Sequence, residues 1–308
     1  MKALFIGDIN VDIIMGGLAS LPAVDREVTC DSYTVAVGSP VVIAACAYAG
    51  LGGRCGVLGL AGRDANGDFV LREISRRGVE TRLVRRTERV ATGVTVNLIH
   101  GSTRTQITYP GTIAAFDGSW IAAEVLAEFG HVHMAGVYLQ TSFRPRITGL
   151  LEMCRSRGIT ASMDPQWDPR ERWAYMDEWL PLLDVLFVNE AEALSLTRRD
   201  RVEDAVEELN RRAACAAVKA GPRGSFAWIG GTARRIPVSP VDVVDTTGAG
   251  DTFDAAFLFA RLERRMPLEE ACRFANRIAG LSCCHVGGVR DAGSPAEDSH
   301  PEDPQAPK

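Results

Sequence analysis

The segment Asp245-Thr-Thr-Gly248-Ala-Gly250-Asp251-Thr-Phe-Asp-Ala-Ala-Phe-Leu-Phe-Ala260 puts two glycines and a carboxylate at the start of an apolar run. The pattern predicts an extended lead-in, a tight turn at Gly248-Ala249-Gly250, and a helix to about Leu262. A helix N-terminus leaves backbone N–H groups without intrahelical partners and carries a partial positive charge. Small side chains at 248–250 let a phosphoryl group approach that backbone, which makes an anion site without a lysine. Asp251 falls in the first helical turn beside such a group, where a carboxylate can accept the proton of an attacking hydroxyl. The N–H groups of residues 248–251 would stabilise the charge that develops on the transferred phosphoryl group. By itself Gly-x-Gly-Asp is more often an ordinary helix start, so the rest of the chain has to supply the context.

A residue with that task needs a scaffold that gathers strand ends and helix starts along one edge. Residues 3–7 read as a buried first strand. Val41–Leu51 is Ala-rich and helical, Cys55–Leu60 reads as a strand, and Asn66–Arg77 as a helix. Short apolar runs at Val132–Met134, Thr160–Met163, Val185–Val188 and Ala216–Lys219 recur between helical stretches. This alternation predicts an α/β domain with a mainly parallel sheet and helices on both faces. Ligands of such sheets bind at the carboxyl ends of the strands. Residues 28–37 and 92–109 differ: they alternate in β-branched patterns, with hairpin arms at Gly93–Ile99 and Thr105–Tyr109 and a turn at 100–103. They predict a small β-lid within about 11–37 and 90–112. The domain is expected to span residues 1–290. Residues 291–308 are rich in Pro, Asp, Glu and Ser and are expected to be disordered.

Bulk properties narrow the partners. The 308 residues are 46% hydrophobic and 24% charged, which suits one large globular domain. With a formal net charge of −5 and no Lys/Arg run longer than two, no nucleic-acid footprint is expected. An anionic ligand must therefore be held by a local site. No stretch reaches 18 uninterrupted apolar residues, so no membrane span is expected. The eight cysteines form no Cys-x-x-Cys pair, and free buried thiols in a cytoplasmic protein are expected. The five histidines lack metal-ligand spacing; His131 and His133, on one strand, are expected to face opposite sides.

The whole segment from Asp245 to Phe253 resembles the C-terminal signature of the ribokinase-like carbohydrate kinases, the PfkB family, and other segments agree in the expected order from residue 3 to about 290. The resemblance implies a ribokinase-like three-layer sandwich with a β-lid. It implies transfer of the γ-phosphate of ATP to a hydroxyl of a sugar or sugar-like molecule, with Asp251 as base and Gly248, Ala249 and Gly250 as the anion hole. Gly7-Asp-Ile-Asn-Val-Asp12 is similar to the family's first strand and substrate loop, so Asp12 would accept hydrogen bonds from substrate hydroxyls. Val37-Gly38-Ser39-Pro-Val-Val42 is similar to the N-terminal signature, with Gly38 and Ser39 as substrate contacts. Here Val37 stands for the usual first glycine and Val42 for an Asn that commonly touches the sugar. Val42 can neither donate nor accept, which favours a substrate with an apolar or deoxygenated face, or contacts supplied by another residue. Gly59 to Gly67 continues the match and would close one side of the pocket.

Further along, Gln140 or Tyr138 could face the substrate at the end of a central strand. Asp164-Pro-Gln166-Trp-Asp-Pro-Arg170 resembles an Asp-Pro-Asn-x-Arg run, with Asp164 near a metal–phosphate network and Arg170 as a loop contact. Asn189 and Glu192 fit the family's Asn-x-x-Glu element, in which Glu192 would act on Mg²⁺ through water. Lys219, Gly221 and Gly224 would lie against the nucleotide, and Asn276 beside adenine. A potassium ion would use Asp245, Thr247 and the 282–288 loop. Lids in such kinases often pair across a homodimer, which also covers strand edges. A nucleoside kinase on the same fold and a non-catalytic sugar-binding relative are the alternatives. A sugar-phosphate acceptor would need basic residues, and Arg104 on the hairpin is the one lid candidate.

Overall fold

The structure, a computed structural model, describes residues 1–101 and 103–284. In chain order its strands are β1 (Lys2–Ile6), β2 (Asn10–Gly16), β3 (Ser32–Val37), β4 (Arg54–Gly62), β5 (Glu80–Thr87), β6 (Gly93–His100), β7 (Thr103–Tyr109), β8 (His131–Ala135), β9 (Thr160–Asp164), β10 (Val185–Asn189), β11 (Ala216–Lys219), β12 (Ser225–Ile229) and β13 (Thr232–Ile236). The main sheet has nine strands in the order β13-β12-β11-β10-β9-β8-β1-β4-β5. From β11 to β5 every pairing is parallel. Only the β12–β13 edge is antiparallel.

Successive side chains on a strand point to opposite faces, and a parallel sheet buries both. On β1, Leu4 and Ile6 join one core cluster with Val132 and Leu186. Ala3 and Phe5 join the other with Val57, Phe187 and Ala217. Helices Ile147–Ser156 and Val202–Arg212 cover the first face. Helices Pro40–Gly50, Ala249–Leu262 and Leu268–Ser282 cover the second. The expected three layers are present, and the strands expected around 3–7, 55–60, 132–134, 160–163, 185–188 and 216–219 form within a residue or two of those bounds.

The four-stranded second sheet, β3-β2-β6-β7, is the lid. β2 begins three residues after β1 ends, so the chain leaves the main sheet for the lid within Gly7–Ile9. The hairpin pairs Val94 with Tyr109 through to His100 with Thr103. The strand expected over 28–37 starts only at Ser32. The Gly59–Gly67 segment anchors the lid's base: the Asp64 carboxylate accepts from the backbone N–H of Gly67 and Thr92, and from Thr92 Oγ1 at 2.8 Å.

Two expectations change. His131 and His133 do not face opposite sides; residues two apart on a strand share a face, and both rings sit 2.8 Å from Ser162 Oγ. The β12–β13 hairpin was missed, although Gly230-Gly231 between two β-rich runs is a hairpin signal; both glycines have positive φ, 62° and 83°. The 291–308 tail and most of the 282–288 loop lie outside the described residues.

Candidate active site

β1 lies between β8 and β4, and the chain runs outward from it in both directions. That switch point is where an open α/β sheet forms a crevice at its strand ends. Asp8 follows β1, Gly136 follows β8, and Asp164, Asn189 and Lys219 close β9, β10 and β11. Asp251 reaches the same edge from the helix Ala249–Leu262.

The local fold of that helix start follows from its glycines. Gly248 is the N-cap in left-handed conformation, φ 72° and ψ 3°, which a side chain would strain. The helix then begins with Ala249, and Asp251 lies in its first turn with its side chain buried. Burial drives the Asp251 carboxyl up to about 7; the Asp164 and Asp12 charges push the same way, and Lys219 pulls it down. Gln166 Nε2 approaches Asp251 Oδ1 at 3.4 Å.

Beneath this turn lies a buried charge cluster. Lys219 Nζ donates to Asp164 Oδ2 at 2.6 Å and to both Asp254 oxygens at 3.1 and 3.2 Å. A Cβ on Gly250 would come within 3.3 Å of that ammonium. Burial alone would depress Lys219, but Asp164, Asp254 and Glu192 raise it well above its ordinary value. Burial would lift Asp164, yet the Lys219 charge together with hydrogen bonds from Lys219, Asp254 and the Gln166 N–H holds the carboxyl below its ordinary range. Burial pushes Asp254 well up. Lys219 is therefore an interior cation, 13% exposed, and not a surface lysine. Asp164, Asp251 and Asp254 each offer an oxygen within 4.8 Å of the others.

Asn189 and Glu192 meet as expected, in a reciprocal capping box at the helix Glu190–Thr197. Glu192 Oε2 accepts from Asn189 N at 2.7 Å. Burial and the Asp164 charge lift the Glu192 carboxyl to about 7. Next to Lys219 a cleft of about 470 Å³ opens, lined by Gly221, Gly224, Val238, Val241, Ala249 and Ala279. Asn276 also borders it, but its amide donates to the Ile236 and Pro237 carbonyls at 2.9 and 3.3 Å. Its contribution is a fixed wall, and not an open amide beside a base. At the rim, Asp245 Oδ1 accepts from Thr247 N at 2.8 Å.

On the lid side, Asp12 faces the crevice. A Cβ on Gly38 would meet Asp12 Oδ1 at 2.4 Å and Asn10 Nδ2 at 2.8 Å, so only glycine fits there. Burial raises Asp12 to about 6, against the opposing pull of Arg104. Three expected substrate contacts change. Ser39 is the N-cap of helix Pro40–Gly50; its hydroxyl donates to Asp8 O at 2.8 Å and accepts from Val42 N at 3.3 Å. Val42 is wholly buried in the apolar core and presents no atom to a ligand. Gln140, also fully buried, donates to the Ala135 carbonyl at 2.7 Å and braces the end of β8. Tyr138 packs inward with its hydroxyl on Ala174 O, and Arg170 is a loop residue whose N–H donates to Asp168.

Asp8 and Asp254 were not singled out from the sequence. Burial raises Asp8 to about 7, with the Asp12 and Asp251 charges adding to it, which puts Asp8 between lid and base. Asp254 had a readable signal: an acid inside the apolar run 252–260 must be buried, and a buried acid needs a partner.

The comparisons agree with this geometry. The chain matches the pfkB family carbohydrate kinase profile over residues 4–294. It is 29% identical over 289 residues to the ATP-dependent ribose-1-phosphate kinase of Halopiger xanaduensis, covering 93% of each chain. Adenosine kinase from Sinorhizobium meliloti superposes with a TM-score of 0.82 at 24% identity, covering 94% of this chain and 95% of that one. An uncharacterized sugar kinase from Pyrococcus horikoshii in complex with ATP superposes with a TM-score of 0.77 at 21% identity, covering 94% of each. With its sheet, lid and glycine-led carboxylate helix in this arrangement, the chain belongs to the pfkB family of carbohydrate kinases, phosphotransferases of ribokinase-like fold.

Proposed function

We propose that this protein transfers the γ-phosphate of ATP to a hydroxyl of a sugar-like acceptor held between Asp251 and the lid. One observation carries the reading: Asp251 is buried in the first turn of a glycine-capped helix, with its carboxyl raised to about 7. A base of that pKa is half ionised at neutral pH and strong enough to take a hydroxyl proton. The acceptor O–H would give its proton to Asp251 as its oxygen bonds to the γ-phosphorus. The bond from that phosphorus to the β,γ-bridging oxygen breaks, and ADP leaves. The N–H groups at 248–251 stabilise charge on the transferring group. The apolar cleft beside Gly221, Val238 and Ala279 suits the adenine end of ATP.

The residues present also suit Mg²⁺. Asp164, Asp251 and Glu192 are buried oxygen donors; burial first, and then the Asp164 charge, raises Asp251 and Glu192, and a hard cation would relieve both. Glu192 and Asp164 would hold the ion through water, and it would neutralise phosphate charge. Asp245 and Thr247 remain the proposed border of a monovalent-cation site, together with the 282–288 loop.

Asp12 and Gly38 orient the acceptor. A nucleoside remains the second reading, in keeping with the adenosine kinase whose structure superposes on this chain. The outer face of the lid supports a homodimer. By strand register, Tyr33, Val35, Ile13, Val96, Ile107 and Tyr109 share that face, and Tyr33 and Ile107 are each 62% exposed. A second copy would cover them. All eight cysteines are free, which fits a reducing, cytoplasmic setting.

A coupled ADP-release screen over sugars, polyols, nucleosides and sugar phosphates tests the reading with wild type and Asp251→Asn. Turnover should fall by about 10²- to 10⁴-fold in the variant while ATP still binds. Unchanged turnover would sink the base assignment.

A further inference from the structure

The lid's inner face carries more recognition chemistry than a neutral sugar requires. Strand register puts Asp12 and Ile14 of β2 beside Thr95 and Asn97 of β6, and Thr95, Asn97 and Ile99 beside Thr108, Gln106 and Arg104 of β7, so that Arg104 stands toward the lid tip from Asp12. This face looks into the crevice: a Cβ on Gly38 would meet Asp12 Oδ1 at 2.4 Å, and the next residue, Ser39, holds the Asp8 carbonyl after β1 at 2.8 Å. The face is polar, whereas the opposite face of the same four strands is apolar. Arg104 is the single basic side chain on it among the described residues, by the same register. Among the described residues it makes no ion pair within 4 Å, and of the neighbouring charges it is the one that pulls Asp12 down.

Asn97 adds a second donor. Its side chain is only 2% exposed, and Gln106 Nε2 donates to its Oδ1 at 2.9 Å. That bond turns Asn97 Nδ2 the other way, where it leans toward Asp12 without closing a hydrogen bond of good geometry. Asn10 Oδ1, 4% exposed, also lacks a partner among the described residues, while its Nδ2 reaches Thr95 Oγ1 at 3.2 Å. A buried polar atom without a partner is costly unless a ligand supplies one. The inner face thus offers an acceptor for hydroxyls at Asp12 and, toward the lid tip, the Arg104 guanidinium and the Asn97 amide N–H, neither of which closes an ion pair or a hydrogen bond of good geometry with another described residue. A guanidinium is suited to planar, two-point recognition of carboxylate or phosphate.

We infer that the acceptor is an anionic sugar, whose hydroxyls meet Asp12 and whose phosphate or carboxylate group is bound by Arg104 and Asn97 Nδ2. This rests on the proposed kinase reading and names the substrate class of the same site. The group accepting phosphate remains a hydroxyl at the Asp251 end; the anionic group is the handle at the far end.

The test measures kcat and KM by ADP release for three arms of acceptors: neutral (ribose, fructose, adenosine), sugar phosphates (ribose 1-phosphate, ribose 5-phosphate, fructose 6-phosphate) and sugar acids (gluconate, 2-dehydro-3-deoxygluconate). A member of one anionic arm should give the highest kcat/KM, and which arm it is separates phosphate from carboxylate. Arg104→Ala should raise the KM for that compound roughly tenfold to a hundredfold more than for a neutral sugar, as expected for loss of a charged hydrogen bond. Arg104→Lys should recover part of this, and the KM for ATP should not move with either. A neutral compound as best acceptor, or an anionic one whose KM ignores Arg104, would overturn the inference. If no acceptor gives Asp251-dependent ADP, the base assignment fails instead. Equilibrium binding of the sugar phosphates and sugar acids to Asp251→Asn, with and without Arg104→Ala, then decides the Arg104 inference by itself.

Discussion

The phosphoryl end and the acceptor end of this crevice are built on opposite principles. Around Asp251 the charges are internal and paired: Lys219 bridges Asp164 and Asp254 beneath the anion hole. On the lid the polar groups are amides, hydroxyls, the Asp12 carboxylate and one arginine, and two of the buried amide atoms, Asn10 Oδ1 and Asn97 Nδ2, lack a partner among the described residues. The first arrangement is preorganised before any ligand arrives, which is what stabilises a transition state. The second is completed by its ligand, which is how a site discriminates among acceptors. Substitutions at the two ends should therefore fail in different ways.

The largest effect should come from Lys219→Met, which strands buried carboxylates; unfolding experiments should show a loss of about 3–5 kcal/mol. Wild-type stability in that variant would mean the phosphoryl end is not held by its internal charges. Asp12→Asn should raise the acceptor KM by roughly tenfold to a hundredfold with kcat less affected. A fall confined to kcat would erase the distinction between the ends. The pH profile sharpens it further. Burial raises Asp251 to about 7, and the base works only when ionised, so kcat/KM should fall about tenfold per pH unit below that point and level off above it. A flat profile from pH 6 to 8 would remove Asp251 as the titrating base. The smallest effect should be Ser39→Ala, a lost helix cap that costs about 1 kcal/mol in stability. An acceptor KM that moved instead would return Ser39 to the substrate.

Legibility also differed between the ends. The phosphoryl end lies in one contiguous segment, Asp245 to Phe253, because a helix start is a local structure. Its residues and the bounds of its helix could be read directly. The acceptor end is assembled from β2, β6, β7 and the loop after β1, so its face depends on register between strands over 80 residues apart. Ser39 and Val42 were expected at the substrate because their segment resembles the family's N-terminal signature, and Gln140 because it follows a central strand. Packing turned Val42 into the core and engaged the Ser39 hydroxyl and the Gln140 amide N–H with backbone carbonyls. Arg104 was visible as a lone cation on a hairpin, but not as a neighbour of Asp12.

What the amino-acid order determined alone was the local chemistry: the Gly248–Gly250 turn, the carboxylate at Asp251, and the alternation of strands and helices that makes a parallel sheet. Backbone propensity and short-range hydrogen bonding suffice for these. Only the tertiary structure decided that Lys219 is buried between Asp164 and Asp254, that Asp12 and Asp251 both act on Asp8, and that Arg104 acts on Asp12. Those are relations of charge and burial between segments far apart in the chain, and they are set by how the sheet and lid close on each other.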